Sequence, residues 1–472
     1  MNPSRFALTA LLMASAAVVE IRPAAGQTLQ EAMALAYANN PTLQAARAQL
    51  RAVDENVPQA LAGWRPTVQI TGAAGQSTTG TRPNPPGPTG DWRSRDTTQV
   101  QGSVTQPLYR GGRTVAQTRR AENQVLAQRA RLFATEQQVM LDVVNAYVSV
   151  IQNQEEVRLN TNNEQVLSRQ LQATNERFRV GEITRTDVAQ AESRLAGARA
   201  SRADAEGRLQ TSRATFTRLV GQPPLRLVPP QPLRAPALTA RDAGLLAAQN
   251  NPNVVAALFD EAAARDQIDV QFSNLLPQLS LNGTMFRSTG VTGAGGTLDG
   301  VRQDGTQVTA NLTVPIFQGG AEHALVRQAR QQAQQARQVV DDQRRASTQQ
   351  ATQAYETLTS ARAQVDSVRA QIRAAEIALD GVQREAIVGS RTTLDVLNAE
   401  QELLNARVSL VRALANVITA SHSLASAVGR LTARDMNLPV QLYDMEAYYR
   451  AVRDRWVGWG DYGGEPVADG SR

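Results

Sequence analysis

A long proline-free helical pattern constrains the fold of this chain more than any other feature. From Ala329 to Ala386, small or apolar residues recur at steps of four and three, the heptad pattern of a helix packed along one narrow seam. No proline occurs between Pro315 and Pro439. The seam spans about 58 residues, or about 87 Å of helix. Since the outward positions are Arg, Gln, Asp and Glu, and a bilayer core is only about 30 Å thick, we expect a rod in water beside other helices.

The basic charge of the chain does not indicate a nucleic-acid partner. The net charge is +6 and the pI about 10.1. All 49 basic residues are arginines, and they alternate with acidic residues along the helix faces. Proteins that bind single-stranded nucleic acid interleave basic residues with aromatic ones, and aromatics make up only 4% of this chain. We therefore expect solvated helix faces and no nucleic-acid binding.

The N-terminus has the pattern of a secretory signal peptide. Arg5 precedes an apolar run from Phe6 to Val19, and Ala24-Ala25-Gly26 form a small-residue cleavage site. The run has about 14 residues, whereas a membrane-spanning helix needs about 20, which favours cleavage over an anchor. The sequence contains no cysteine, so we expect neither a disulfide nor a lipid-modified thiol.

The second half of the chain repeats the first. Asn39-Asn40-Pro41 recurs as Asn250-Asn251-Pro252, and further along an offset of 208 residues relates Gly181 to Gly389. Such self-similarity indicates two copies of one structural unit. The predicted domains are a signal peptide (1–26), a first repeat (27–222), a Pro-rich linker (223–236), a second repeat (237–431) and a C-terminal tail (432–472).

Each repeat contains a pair of alternating segments, within residues 65–108 and 277–315. Apolar and polar residues alternate there over about ten residues, which is typical of transmembrane β-strands. The residues predicted to face lipid are Val68, Ile70, Val100, Val104, Leu279, Leu281, Val308, Leu312 and Val314. Four strands cannot close a barrel, because the smallest bacterial barrels have eight. The alternative is a small soluble sheet covered by helices, but Ala, Gly and Thr supply little bulk for its inner face.

Helical hairpins follow the strand pairs, over residues 114–219 and 321–429. In the first repeat we expect a long helix over about residues 114–178 and shorter helices over 29–38, 42–63 and 186–219. The tips of the two hairpins read Phe178-Arg179-Val180-Gly181 and Val388-Gly389-Ser390-Arg391.

These tips, the signal peptide and the doubled plan of strand pair and hairpin resemble the TolC-type outer-membrane efflux family. The resemblance covers about residues 29–431. It implies a homotrimer in which each chain gives four strands to one twelve-stranded β-barrel in outer-membrane lipid, continuous with a periplasmic α-helical barrel. It also implies that the chain is a passive exit duct for a tripartite efflux pump or a type I secretion system.

The resemblance further assigns residues to a periplasmic gate. Arg391 matches the arginine of the family's lock, Asp187 its acidic partner in the neighbouring chain, and Asp395 the first of two aspartates around the narrowest aperture. Ala386 replaces the lock tyrosine and Asn398 the second aspartate. A looser closure and a less acidic ring are therefore implied. The simpler interpretation of Arg391 and Asp395 is an i,i+4 ion pair at a helix start.

The tips are also the positions at which the family docks its partners. The adaptor-docking motif maps to Val180-Gly181 and Val388-Gly389. The implied partners are a periplasmic adaptor protein and an inner-membrane pump or ABC transporter.

The sequence shows no catalytic or metal-binding pattern. His323 and His422 are isolated, and the Gly-Gly pairs that begin at Gly111 and Gly319 lack the lysine of a phosphate-binding loop. We expect no enzymatic activity and no cofactor or metal. The alternative to a duct is a non-conducting periplasmic or surface coiled-coil scaffold, which would not need the alternating strands. The tail has no counterpart in the first repeat, and we expect it to pack around the waist of the cylinder.

Overall fold

The computed structural model describes residues 26–80, 93–291 and 301–460. The predicted signal peptide, the middle of both inter-strand linkers and the end of the tail lie outside these ranges. The first repeat contains α1 (Leu29–Asn39), α2 (Pro41–Asp54), α3 (Asn56–Leu61), β1 (Thr67–Thr79), β2 (Arg93–Arg110), α4 (Arg113–Arg179) and α5 (Arg185–Val220). The second repeat and the tail contain α6 (Ala240–Asn250), α7 (Pro252–Phe272), β3 (Gln278–Val291), β4 (Val301–Thr313), α8 (Ala321–Ile387), α9 (Thr393–Ala427) and α10 (Ala447–Val452).

Each repeat opens with two helices that meet at an asparagine. As the N-cap of α2, Asn40 accepts a hydrogen bond from the backbone N–H of Thr42 through Oδ1, at 2.9 Å. Its Nδ2 donates to the carbonyl oxygen of Leu219 at the end of α5, at 3.0 Å. In the second repeat, Asn251 donates in the same way to Ala427 at the end of α9, at 3.1 Å. Each asparagine therefore ties the start of its repeat to the end of that repeat.

The helical segment expected over residues 42–63 is interrupted in the structure. α2 ends at Asp54, α3 starts at Asn56, and a short 3-10 turn (Ala62–Trp64) follows. Pro58 explains the break, because its ring has no N–H to donate and would clash with the carbonyl of Asp54 in a continuous helix. The corresponding helix of the second repeat, α7, has no internal proline and runs unbroken for 21 residues.

The four strands form one antiparallel sheet in the order β1-β2-β3-β4. Val68 lies opposite Val104, Val104 opposite Gly283, and Gly283 opposite Val308. This register places all the predicted lipid-facing residues within the strands on one face, as predicted, and the intervening polar residues on the other. Val314 lies just beyond the end of β4. Within the described residues, β1 and β4 are the sheet edges, and each pairs on one side only.

Each hairpin contains one long helix and a shorter returning helix. The long helices, α4 in the first hairpin and α8 in the second, have 67 residues each. At 1.5 Å per residue each extends about 100 Å. The middle of the predicted seam of α8 is buried against α9, with Ala351, Leu358 and Val365 in one cluster with Ala413 and Leu424. Of the described helices, α9 alone is long and apolar enough to cross a membrane by composition. Within the described chain, 28% of its apolar window is buried.

The largest buried cluster marks the waist of the molecule, where the short helices meet the hairpins. Tyr147 and Phe216 are fully buried there, with ring centroids 6.3 Å apart. Leu438 is buried in this cluster, and Tyr443 and Met445 pack against it. The tail thus begins at the waist, as expected. Beyond Met445 it leaves the waist and follows α2, α3 and α4 toward the sheet.

Candidate functional site

Both hairpin tips turn on a glycine in the left-handed conformation. Gly181 has φ +78° and Gly389 has φ +82°, values that side chains rarely adopt. At the first tip, the N–H of Glu182 donates to the carbonyl of Arg177 at 3.0 Å, and at the second tip Ser390 donates to Glu385 at 3.0 Å. This is the Schellman arrangement, which satisfies the last carbonyls of α4 and α8. The two tips therefore have the same backbone.

Asp187 and Asp395 start the returning helices as members of capping boxes. Thr184 donates to Asp187 Oδ2 from its backbone N–H and its hydroxyl, at 3.0 and 2.7 Å. Thr392 donates to Asp395 Oδ2 in the same way, at 3.0 and 2.8 Å. The hydroxyl and backbone hydrogen bonds of Thr184 hold the pKa of Asp187 below its usual value. The backbone and hydroxyl of Thr392 do the same for Asp395. Both aspartates are therefore charged at neutral pH.

An ion pair closes each tip. The arginine lies on the long helix at the first tip and in the turn at the second tip. At the second tip, Arg391 Nε donates to Oε2 of Glu385 at 2.8 Å. At the first tip, Arg177 of α4 pairs with Glu182 in the turn, with an Nε–Oε1 distance of 2.9 Å. The simpler prediction for Arg391 is thus wrong, because its ion-pair partner is Glu385 across the tip and not Asp395 four residues on. The carboxylate of Glu385, at the end of α8, therefore binds the guanidinium of Arg391.

The outermost residues of the tips are apolar and exposed. Val180 is 77% exposed, Val388 is 78% exposed, and Ile387 is also largely exposed. Ala386 is half-buried and accepts a hydrogen bond from the N–H of Gly389 at 3.2 Å. Its methyl group supplies no hydroxyl for a gate contact. Apolar side chains at the end of a long polar rod form a surface suited to contact with another protein.

Asn398 links the second hairpin to the first, which the sequence did not predict. Arg194 Nη2 on α5 donates to Asn398 Oδ1 on α9 at 2.7 Å. The adjacent Leu397 is buried in a cluster with Leu167 and Leu195 of the first hairpin. The second tip is therefore attached to the first hairpin of its own chain by a polar bond and an apolar contact.

A second link joins the hairpins farther from the tip. It involves Arg208 of α5 and Arg412 of α9, which lie 14 residues after Arg194 and Asn398. Glu156 of α4 is almost fully buried and accepts hydrogen bonds from Arg412 of α9 at 2.9 Å and Arg208 of α5 at 3.3 Å. Burial alone would raise the pKa of Glu156, but bonds from Arg412 and Gln152 and the nearby arginine charges hold it below its usual value. One charged carboxylate thus connects three helices.

Between the two links, α5 and α9 border a polar groove of about 820 Å3. Its lining includes the small residues Gly197 and Ser201 of α5 and Ser409 of α9. These side chains do not fill the space between the helices. The lower part of the hairpin pair is consequently held by discrete links and not by a continuous core.

The two histidines do not take part in this site. His323 is exposed on α8, whereas His422 is buried in α9 with Nδ1 2.8 Å from the carbonyl oxygen of Ile418. Burial lowers the pKa of His422, so its ring is neutral. In the described ranges no three His, Cys, Asp or Glu side chains are grouped to hold a metal ion.

Comparison with known proteins identifies the family. The model of the family described as "Outer membrane efflux protein" matches residues 32–222 and 245–430. The outer membrane efflux protein BepC of Brucella suis biovar 1 (strain 1330) is 35% identical over 451 residues, which cover 96% of each chain. The chain belongs to the outer membrane efflux protein family. The outer membrane protein TolC of Vibrio cholerae is 27% identical over 414 residues, or 87% of this chain and 92% of that protein.

A solved structure supports the fold of this efflux protein. The outer membrane protein VceC from Vibrio cholerae has a TM-score of 0.69 at 21% identity, with 85% of this chain and 96% of that chain covered. The fold class is therefore that of the TolC-like channels, with β-barrel strands continuous with long periplasmic helices. The efflux protein is an outer-membrane channel that extends into the periplasm and serves as an exit duct. This family of transport channels confirms the duct and excludes the non-conducting scaffold.

Proposed function

We propose that the efflux protein works as a homotrimer whose hairpin tips close the periplasmic end of the duct. The unpaired edges of β1 and β4 carry this proposal. In the part of the chain that the structure describes, each edge presents a row of backbone N–H and C=O groups without partners in the sheet, which is unfavourable in lipid. One chain supplies four strands, and three chains supply twelve, so β4 of one chain pairs with β1 of the next.

Cysteine cross-linking tests the trimer, because the natural chain has no cysteine. Ile70→Cys on β1 is combined with cysteines scanned over 308, 310 and 312 on β4. We expect a ladder of disulfide-linked dimers and closed trimers. The control is Val104→Cys with Gly283→Cys, which face each other within one chain and should give intrachain disulfides only. Monomers at every scanned position, with the control still oxidised, would contradict the proposal.

We also propose that the gate residues act between neighbouring chains. Both hydrogen bonds from Thr184 go to Oδ2 of Asp187, which leaves the other carboxylate oxygen for the Arg391 of the next chain. Asp395 stands at the corresponding place on the second hairpin, so three copies form a ring of negative charge. The links of Asn398 and Glu156 to the first hairpin support a closed resting state of the tips.

The opening partners in this proposal are a periplasmic adaptor and an inner-membrane transporter, with efflux as the transport function. The similarity to BepC, whose name records efflux, supports it. The exposed Val180 and Val388 are the proposed adaptor contacts. Val180→Arg with Val388→Arg should abolish efflux in cells while the trimer assembles normally. The control is Leu238→Arg, at an exposed position just after the Pro-rich linker between the repeats. Unchanged efflux in the tip variant would show that the adaptor docks elsewhere.

A further inference from the structure

The C-terminal tail runs from the waist to the point where the chain enters the membrane sheet. Tyr443 donates its backbone N–H to the hydroxyl of Tyr37 at the waist, at 3.1 Å. Farther on, Glu446 pairs with Arg129 of α4 at 3.1 Å. Arg453 then pairs with Glu122, at 3.3 Å. The contacts on α4 thus move from position 129 to position 122, toward the start of α4 and the sheet.

The end of this path is fixed by Arg65, two residues before β1. Its Nη1 donates to the carbonyl oxygen of Arg455, and its guanidinium carbon lies 5.0 Å from the ring centroid of Trp456. Arg65 also lies three residues before Val68, which is 72% exposed on the lipid face. Trp456 is therefore held at the periplasmic border of the membrane.

The described tail residues that follow Arg455 include three apolar side chains, and the described part of the chain leaves them exposed. Trp456 is 66% exposed, Val457 is 88% exposed, and Trp459 is fully exposed. Other exposed apolar side chains lie where the strands join the helices: Trp64, Tyr109, Ile316 and Phe317. Outer-membrane barrels carry aromatic girdles at both edges of their apolar band, where the ring sits among the lipid headgroups.

We propose that residues 456–459 of the tail are an interfacial anchor that inserts into the periplasmic leaflet of the outer membrane. The partner is a phospholipid surface. Two observations favour lipid over a neighbouring protomer. The segment begins beside Arg65, two residues before the lipid-facing strand β1, and the guanidinium of Arg65 beside Trp456 matches a headgroup phosphate, while residues 456–459 contain no acidic side chain. The tail thereby gives this cysteine-free chain a membrane contact outside the barrel.

Fluorescence quenching tests the anchor, because the sequence contains only four tryptophans, Trp64, Trp92, Trp456 and Trp459. Two single-tryptophan variants retain Trp456 or Trp459, with the other three changed to Phe. The trimers are reconstituted in phosphatidylcholine vesicles with or without bromine on the upper acyl chains. We expect brominated lipid to quench each tail tryptophan by more than half and acrylamide to quench it weakly.

The matched control is Val388→Trp in a chain with all four native tryptophans changed to Phe. This residue lies at the water-exposed tip, so acrylamide should quench it and brominated lipid should not. If either Phe background fails to assemble, Trp456→Phe with Trp459→Phe is compared with the unaltered trimer, and the difference reports the tail. Quenching of the tail by acrylamide alone would place it in water, and protection from both quenchers would place it against a second copy of the chain. Either result overturns the proposal.

Discussion

At the scale of single residues, Asp54 is a buried carboxylate without a compensating hydrogen bond. Neither carboxylate oxygen of Asp54 has a hydrogen-bond partner among the described residues. Burial raises the pKa of Asp54 from 3.8 to about 7, although Arg129 nearby lowers it and Glu55 raises it further. Between pH 4 and 7 the folded chain therefore binds more protons at this position than the unfolded chain. The free energy of unfolding consequently falls as the pH rises through this window.

Asp54→Asn should remove this loss of stability. We expect the variant to be more stable than the natural chain at pH 8, by up to about 4 kcal/mol, because it carries no charge and a pKa raised from 3.8 to about 7 corresponds to about 1.4 kcal/mol per pH unit. At pH 4 the two proteins should be similar, because Asp54 is then protonated in the folded chain. Thermal unfolding of the trimer in detergent at both pH values measures the difference. An equal shift at pH 4 and pH 8 would show that the charge of Asp54 is not the cause.

Individual polar contacts were the least predictable part of the molecule. The sequence correctly indicated helix starts near Asp187 and Asp395, and the structure shows a capping box at each, a local pattern of threonine and an acid three residues apart. It did not indicate that Asn398 bonds to Arg194, since the two residues are about 200 positions apart and neither belongs to a periodic pattern. The simpler interpretation of Arg391, an ion pair with Asp395, was wrong for a related reason: the choice between Glu385 and Asp395 within the chain depends on the shape of the turn.

At the scale of helices and strands, Arg194 and Asn398 form one of two links between the hairpins. Arg194→Ala removes the bond to Asn398, so close to the tip the apolar contact of Leu397 remains and the Glu156 link lies farther away. We expect increased ion leak through the isolated trimer in planar bilayers. The matched control is Arg199→Ala on the same helix, because Arg199 pairs with Glu164 inside the first hairpin at 3.3 Å. Equal leak in both variants would mean that the link between hairpins has no special role in closure.

Helices and strands themselves were largely predictable, because they depend on repeating patterns. The heptad seam predicted a long α8, and the duplication predicted a helix of similar length in the first repeat, α4. The alternation of apolar and polar residues correctly predicted which strand residues share one face of the sheet. Pro58 is a local sequence signal for the break between α2 and α3, but the helix expected over residues 42–63 was drawn through it. The route of the tail toward Arg65 was not predictable, because isolated aromatic and charged residues fix no direction.

At the scale of the whole molecule, one face of the sheet lies in lipid and the other lines the duct. Val308→Arg puts a charge on the lipid face and should cost about 2 to 4 kcal/mol near the bilayer midplane. Gln307→Arg is the matched control, because residue 307 is adjacent but belongs to the opposite face. We expect loss of membrane-assembled trimer for Val308→Arg only, measured by heat-modifiable migration on gels. Normal assembly of the Val308 variant would contradict the proposed orientation of the sheet.

The gate proposal makes a prediction that separates contacts within one chain from contacts between chains. If Arg391 locks onto Asp187 of the next chain, Arg391→Ser and Asp187→Asn should raise the leak through the trimer alike, by between about twofold and tenfold. If Arg391 acts through Glu385 in its own chain, Glu385→Gln should reproduce the effect of Arg391→Ser instead. We expect the first result, measured as single-channel conductance in planar bilayers.

Asp395→Asn controls for the capping box and tests the charged aperture at the same time. The amide keeps the size of the carboxylate and its acceptor for Thr392, so the tip should keep its shape and the leak should not rise. Three negative charges disappear from one narrow ring, however, and rings of acidic side chains make pores prefer cations. The ratio of cation to anion permeability should therefore fall, and block by multivalent cations should weaken. An unchanged permeability ratio would place the narrowest part of the duct away from Asp395.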